Sequence, residues 1–242
     1  EKIIMTPKNA KSRGLTSTVT FPKGNIAPEG SVIKSTAIDP TVVDDDGVYR
    51  NTGTARIFRS EREAIRSIKS KDEKQKISPG DIMVVTCGGP MGTGMEEVFQ
   101  LTVALKHLSY GKHVALITDA RFSGVSTGAC IGHVGPEALA GGPIGKIKEG
   151  DLITIEINTV KLSGSINLVG ENSIEHGIDW GSKQLETRQI PKDLKPHPEL
   201  PDDSKLWAAL QSASGGTWGG CVFDVESIVK AISAGKEIIK NT

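Results

Sequence analysis

Cysteine is scarce in this chain. Cys87, Cys130 and Cys221 are the three in 242 residues, an odd number with no CxxC spacing. A disulfide framework is therefore excluded, and no complete zinc or iron–sulfur site is written here; a reducing cytoplasm is the expected setting. Cys87 ends a strand-like run, Cys130 lies in a glycine-rich loop, and both read as small buried thiols. Aromatic residues are only 4% of the chain, so the core must come from Val, Ile, Leu and Ala. Charge of one sign is also lacking: 29 Lys+Arg stand against 29 Asp+Glu. That leaves no basic excess for nucleic acid or an anionic membrane. The basic cluster at 62–76 is interleaved with acids and reads as a solvated helix face. No apolar run approaches the ~20 residues that span a bilayer. Glu1-Lys2-Ile3-Ile4 has no apolar leader character, and the chain does not begin with Met. The expectation is a piece of something longer, or a processed product.

Glycine is plentiful, 28 residues with 12 prolines, and the chain is long enough to bury a core as one domain. The stretch 81–144 organises it. Two apolar runs, 82–85 and 114–117, each lead into a glycine-rich loop, and loops on a rigid scaffold are where chemistry usually sits. Between them residues 94–110 predict one helix. Met95, Val98, Leu101, Leu105 and Leu108 carry the helical period, Gly111 is its C-cap, and Glu96 and Glu97 lie in its first turn. Short β stretches are read at 2–5, 15–21, 31–34, 54–59, 151–157 and 161–169. Residues 24–30 and 39–46 read as turns. Ser60 opens a helix with Glu63 at capping-box spacing and Ala64, Ile65 and Ile68 as its stripe. Residues 171–203 are polar and carry Pro191, Pro196, Pro198 and Pro201, which predicts little regular structure. A short helix is expected at 205–210 and a flexible loop at 214–220. Asp224 should cap a last helix, 225–240, with Ile228, Val229, Ile232 and Ile238 inward. The first third lacks crossover helices, so a small β-barrel or sandwich with flanking helices fits better than a doubly wound sheet.

The first loop is Gly88-Gly89-Pro90-Met91-Gly92-Thr93-Gly94 and leads into Met95-Glu96-Glu97. A nucleotide P-loop needs Lys and Ser/Thr after the last glycine, so that reading is rejected. A carboxylate here could ligate a hard cation such as Mg²⁺, act as a base, or only serve a helix dipole. The second loop is Thr118-Asp119-Ala120-Arg121-Phe122-Ser123-Gly124. It is not a GxSxG elbow. A triad of Ser123, His133 and Asp119 can be drawn on paper, but the crowding speaks against it. Ser123 as a base would need a metal or cation beside it, for which Arg121 alone is insufficient. Without that, Ser123 is a turn serine.

At these residues the chain resembles the C-terminal domain of the IlvD/EDD dehydratases. The pieces that carry the resemblance are Gly24-Asn25-Ile26-Ala27-Pro28-Glu29-Gly30, Thr54-Ala55-Arg56-Ile57-Phe58, the first loop through Glu97, Thr118 to Gly124, and Gly132-His133-Val134-Gly135-Pro136-Glu137-Ala138 with Gly141-Gly142-Pro143-Ile144. The glycine loop is one residue shorter than the family's usual form, and Ala120 stands where the family usually has Gly. These departures, with the tail Ser214 to Phe223, resemble the YjhG/YagF-like branch associated with D-xylonate. The resemblance implies a swivelling β/β/α domain over 1–242, a small β-barrel with flanking helices, on which a branch-specific tail (170–242) packs. It implies an iron–sulfur cluster as Lewis acid on the leaving hydroxyl, Mg²⁺ on the substrate's carboxylate, and dehydration of a 2,3-dihydroxy sugar acid to a 2-keto-3-deoxy acid. Ser123 matches the family's base and Glu97 its metal-ligand glutamate, with Glu96 as the fallback. Arg121, Gly124 and His133 carry over as loop neighbours. The cluster ligands and most Mg²⁺ ligands would belong to a larger N-terminal domain, the chain alone would be inactive, and the whole would be a homo-oligomer. A branched-chain dihydroxy acid as substrate and a non-catalytic ligand-binding barrel are the rival readings.

Overall fold

The computed structural model describes residues 4–14, 18–72, 74–124, 126–196, 198–215 and 223–241. In chain order the elements are α1 (Pro7–Ser12), β1 (Val19–Thr20), β2 (Gly30–Lys34), β3 (Val48–Phe58), α2 (Glu61–Lys69), β4 (Ile82–Val85), α3 (Pro90–Thr93), β5 (Glu97–Val98), α4 (Gln100–Lys106), β6 (Ala115–Thr118), β7 (Arg121–Phe122), β8 (Cys130–Gly135), β9 (Asp151–Asn158), β10 (Ser163–Glu171), β11 (Ile174–Glu175), α5 (Ile178–Thr187), α6 (Asp202–Ala213) and α7 (Val225–Lys240).

β3 is the pivot. Its first seven residues pair antiparallel with β9, and its last four pair parallel with β4. Outward from there a nine-stranded mixed sheet runs β1-β2-β8-β6-β4-β3-β9-β10-β11. The sheet curls into a half-barrel. The segment after β1 then reaches back to β10, where the Lys23 amide donates to the Gly164 carbonyl at 3.2 Å and the Ile166 amide to the Lys23 carbonyl at 3.1 Å. The apolar runs of β4 and β6 are buried on both faces, as central parallel strands should be. Ile82 and Val84 point into the curl with Ile33, Ile117, Ile131, Ile153, Ile155 and Ile166. Met83 and Val85 point the other way, under Ala64 of α2 and Leu101 and Leu105 of α4. With so few aromatics, isoleucine fills the curl. The barrel-like architecture with flanking helices thus stands.

Ser60 caps α2 by accepting from the Glu63 amide at 3.2 Å; Glu63 itself reaches one residue further back, to the Arg59 amide at 2.7 Å. The single helix expected over 94–110 is not formed. Gly94 and Met95 take φ +68 and +75, which a right-handed helix cannot contain. The chain therefore breaks into α3, the short strand β5 and α4, and Gly111 opens a 3₁₀ turn instead of capping a helix. Glu97 is a strand residue, and neither it nor Glu96 stands in a first helical turn. Cys130 opens β8 rather than lying in a loop.

Residues 171–203 hold more structure than their prolines suggest. α5 ends before Pro191, and Gly181 lets it press on β10, since a Cβ there would sit 1.8 Å from the Leu168 carbonyl oxygen. α6 is longer at both ends than 205–210. Asp224 caps α7 as expected, accepting from the Ser227 amide at 3.1 Å. The inward apolar face does not exist: Val229, Ile232 and Ile238 are 55%, 52% and 68% exposed. Of the stretch 2–5 the described part, Ile4 and Met5, is not strand; within 15–21 only Val19–Thr20 is. Lys2, Ile3, residues 15–17, residues 216–222 of the expected tail loop, and with them Cys221, lie outside the described residues.

Candidate active site

Both glycine loops leave the same edge of the parallel strands, and one buried acid ties them. Asp119, 1% exposed at the end of β6, accepts the amides of Cys87 at 3.2 Å, Gly88 at 3.0 Å and Ala138 at 2.9 Å. Burial pushes its carboxyl pKa up, and the three amides oppose that. Its oxygens are spent on backbone, so the Ser123–His133–Asp119 relay is not assembled. Gly88 faces Ala120: a Cβ on Gly88 would lie 2.8 Å from the Ala120 methyl. The glycine in the first loop makes room for the alanine in the second. Thr93 finishes the first loop, donating to the Gly88 carbonyl at 2.8 Å and accepting the Glu96 amide at 2.8 Å.

Past that turn the two loops become one surface. β5 pairs parallel with β7, Glu97 opposite Arg121 and Val98 opposite Phe122. The next rung is the Ser123 amide donating to the Val98 carbonyl at 3.4 Å. Glu97 and Ser123, 26 positions apart in the chain, are thereby carried on one short ladder. The Glu97 carboxylate meets the Arg121 guanidinium at 3.5 Å, both partly exposed. Ser123 is 8% exposed, and its carbonyl accepts the Ser126 amide at 2.9 Å. The Lys34 ammonium, at the end of β2, donates to the carbonyl of Gly124. Gly124 has open space around it and no left-handed φ, so a tight turn does not explain the glycine. His133 bulges from β8 at φ +53, and its ring lies edge-on to Phe122 with centroids 6.0 Å apart. Although the residue is exposed, crowding of the ring lowers its pKa, and the charge of Arg121 lowers it further.

A cavity of about 260 Å³ opens beside Glu97. Arg59, Arg62, Cys87, Glu96, Glu97 and Glu199 are on its walls; Ser123 is not. The Arg59 guanidinium is held by Thr86 Oγ1 at 2.9 Å. Glu137 escaped the sequence reading as a site residue. It lies 2% exposed beneath the first loop, its two carboxylate oxygens each 3.1 Å from the Met91 amide nitrogen. The Gly-Pro-Glu triplet that delivers it was visible; its partner across 46 residues was not.

Among the described residues no three His, Cys, Asp or Glu side chains converge on a metal-binding point. Glu97 alone suits one hard-oxygen ligand of Mg²⁺. A cluster does not fit the described cysteines. Cys87 lies in the first loop and Cys130 on β8, and burial pushes their thiols up to about 11 and about 12, where thiolate is scarce.

Residues 2–198 match the family described as dihydroxy-acid/6-phosphogluconate dehydratase, C-terminal. Two Escherichia coli K12 proteins described as D-xylonate dehydratases, YagF and YjhG, are 58% and 59% identical over 99% and 96% of the chain. A dihydroxy-acid dehydratase from Methanococcus aeolicus is 41% identical over 69% of the chain. The chain spans about a third of the length of the two Escherichia coli relatives, 36% and 35%.

Proposed function

Since this chain belongs to the dihydroxy-acid/6-phosphogluconate dehydratase family, as its C-terminal region, we propose that it supplies one side of the active site of a hydro-lyase. The substrate is a sugar acid of the D-xylonate kind, and the product is a 2-keto-3-deoxy acid. One observation carries the reading: the β5–β7 ladder that holds Glu97 and Ser123 together. The sugar acid is favoured because the relatives described as D-xylonate dehydratases match nearly the whole chain, whereas the Methanococcus aeolicus dihydroxy-acid dehydratase matches 69% of it.

Ser123 Oγ takes the proton from C2. The C2–H electron pair becomes the C2=C3 double bond, the C3 hydroxyl departs and leaves as water, and the enol tautomerises to the 2-keto acid. A serine hydroxyl is a poor base unless positive charge lies near it. Arg121 and Lys34 flank the turn, but Arg121 is shared with Glu97. Magnesium, when bound, supplies charge that favours an ionised oxygen nearby. Glu97 would be one of its ligands, with Glu96 next on the same wall. Arg121, Gly124 and His133 shape the loop around the serine.

The described residues supply no cluster ligands and no partner for the departing hydroxyl. Both belong to the N-terminal portion of a full-length protein, against which this barrel swivels, and the chain by itself is inactive. The tail from 170 onward packs on the barrel as the branch-specific part. A homo-oligomer in a reducing cytoplasm completes the reading; no helix among the described residues is long and apolar enough to cross a membrane.

The test uses the full-length parent protein, loaded anaerobically with iron, sulfide and Mg²⁺. Release of 2-keto acid is measured from D-xylonate, D-gluconate and 2,3-dihydroxyisovalerate. Wild type should turn over a sugar acid, and Ser123→Ala should lose about a thousandfold, the scale of an essential proton-transfer group. Near-normal turnover by the alanine variant would return Ser123 to a turn residue. Turnover of the branched-chain acid alone would keep the base and change the substrate.

A further inference from the structure

The family match stops at residue 198. The next three residues, Glu199, Leu200 and Pro201, are a wall of the cavity that Glu97 lines. The helix they lead into, α6, lies over the first glycine loop. Trp207 fills the space above Gly94, where an added Cβ would meet its ring at 2.2 Å. The part of the chain beyond the shared family region is thus built onto the catalytic loop itself. From the opposite wall the Arg62 guanidinium donates to Glu199 Oε2 at 2.8 Å. The two side chains are 68% and 69% exposed. An ion pair so open to water adds little to folding, so stability does not explain it, and both partners are within reach of a ligand.

We infer that Arg62 and Glu199 form a specificity-determining clamp for the hydroxylated end of the substrate, with Glu199 delivered by the tail. This rests on the sugar-acid reading and deepens it. Beyond C3 a five-carbon sugar acid carries two hydroxyls, each a donor and an acceptor. A branched-chain 2,3-dihydroxy acid carries only methyl and methylene groups there. A guanidinium beside a carboxylate presents donors and acceptors side by side, the set that neighbouring hydroxyls need. An alkyl group in the same place would strip water from both charges and offer nothing in return, which is how a polar site rejects an apolar analogue. A cavity of about 260 Å³ suits a small acid; drug-sized ligands use ~300–1,000 Å³.

The test again uses the full-length, cofactor-loaded enzyme. kcat and KM are measured for D-xylonate and for glycerate, a 2,3-dihydroxy acid with no carbon past C3, in wild type, Glu199→Ala, Glu199→Gln and Arg62→Ala. Thermal melting of each variant checks that it is folded. The alanine variants should raise KM for D-xylonate about tenfold or more, with kcat changed by less than about threefold, the mark of lost binding that ground and transition states share. Glu199→Gln, which still accepts a hydrogen bond, should recover part of the loss. An unchanged KM for D-xylonate overturns the clamp, as does an equal loss on D-xylonate and glycerate, which would make the tail a scaffold. Wild type inert toward D-xylonate and D-gluconate would remove the sugar-acid reading and the clamp with it, and that result appears before any variant is assayed.

Discussion

The carboxyl group of Glu137 accepts the Met91 amide beneath the glycine loop, and it titrates where a glutamate ordinarily does not. Burial pushes its pKa from 4.5 to about 7; the Met91 amide opposes the rise, and the buried Asp119 nearby adds to it. A carboxyl whose folded pKa is raised holds its proton more tightly in the folded chain than in the unfolded one. Its contribution to stability is complete below pH 4.5 and is lost as the pH climbs through 7, an effect on the order of 3 kcal/mol. Glu137→Gln keeps the acceptor for Met91 and removes the ionisation. Urea unfolding at steps between pH 4.5 and 8 should show the wild type losing stability across that window more steeply than the variant. Equal slopes would mean that Glu137 is solvated. Single residues were legible in the sequence where their partner is near in the chain, as with Ser60 and Glu63 or Asp224 and Ser227. Glu137 and Asp119 act across 46 and 19–32 positions, and no local pattern announces such pairs.

Among the elements, the central strands β4, β6 and β9 could be read within a residue because an apolar run or an alternation is a local signal. The break between α3 and α4 could not. Met95, Val98, Leu101 and Leu105 keep a helical period across a stretch where the backbone turns left-handed, and the pairing that makes Glu97–Val98 a strand lies in the next loop. α5 was hidden for another reason: its contact with the barrel depends on a missing side chain, Gly181, and on the Arg188 that follows it. Arg188 Nη2 donates to Asp151 Oδ1 at 3.0 Å, with both side chains at most 5% exposed. Removing one member of so buried a pair strands the other charge, which typically costs about 3–5 kcal/mol. Arg188→Met should therefore lower the melting temperature by about 10 °C, read by calorimetry. A shift under about 2 °C would show that α5 is not stapled to β9 through this pair.

At the level of the whole molecule, the curled sheet, its helical flank and the loops on one edge form a body that α7 barely joins. The helix has no buried residue, and its apolar side chains face water. Removing residues 223–242 should leave the melting temperature within about 2 °C while reducing self-association in sedimentation at high concentration. A large destabilisation would place α7 within the cooperative unit. Architecture was legible because the order of strands and helices is itself a sequence property; closure was not, since it depends on two hydrogen bonds between Lys23 and β10.

The ladder of β5 and β7 has a bearing on how such a molecule can change over time. Because Glu97 and Ser123 hang from a shared backbone seam, their spacing does not depend on any wall residue. The cavity's borders, α2 and the tail after 198 among them, can be exchanged for others without retuning that spacing. A lineage can then acquire new substrates by redecorating the rim, the reacting pair travelling unchanged like a tool bit held in one chuck.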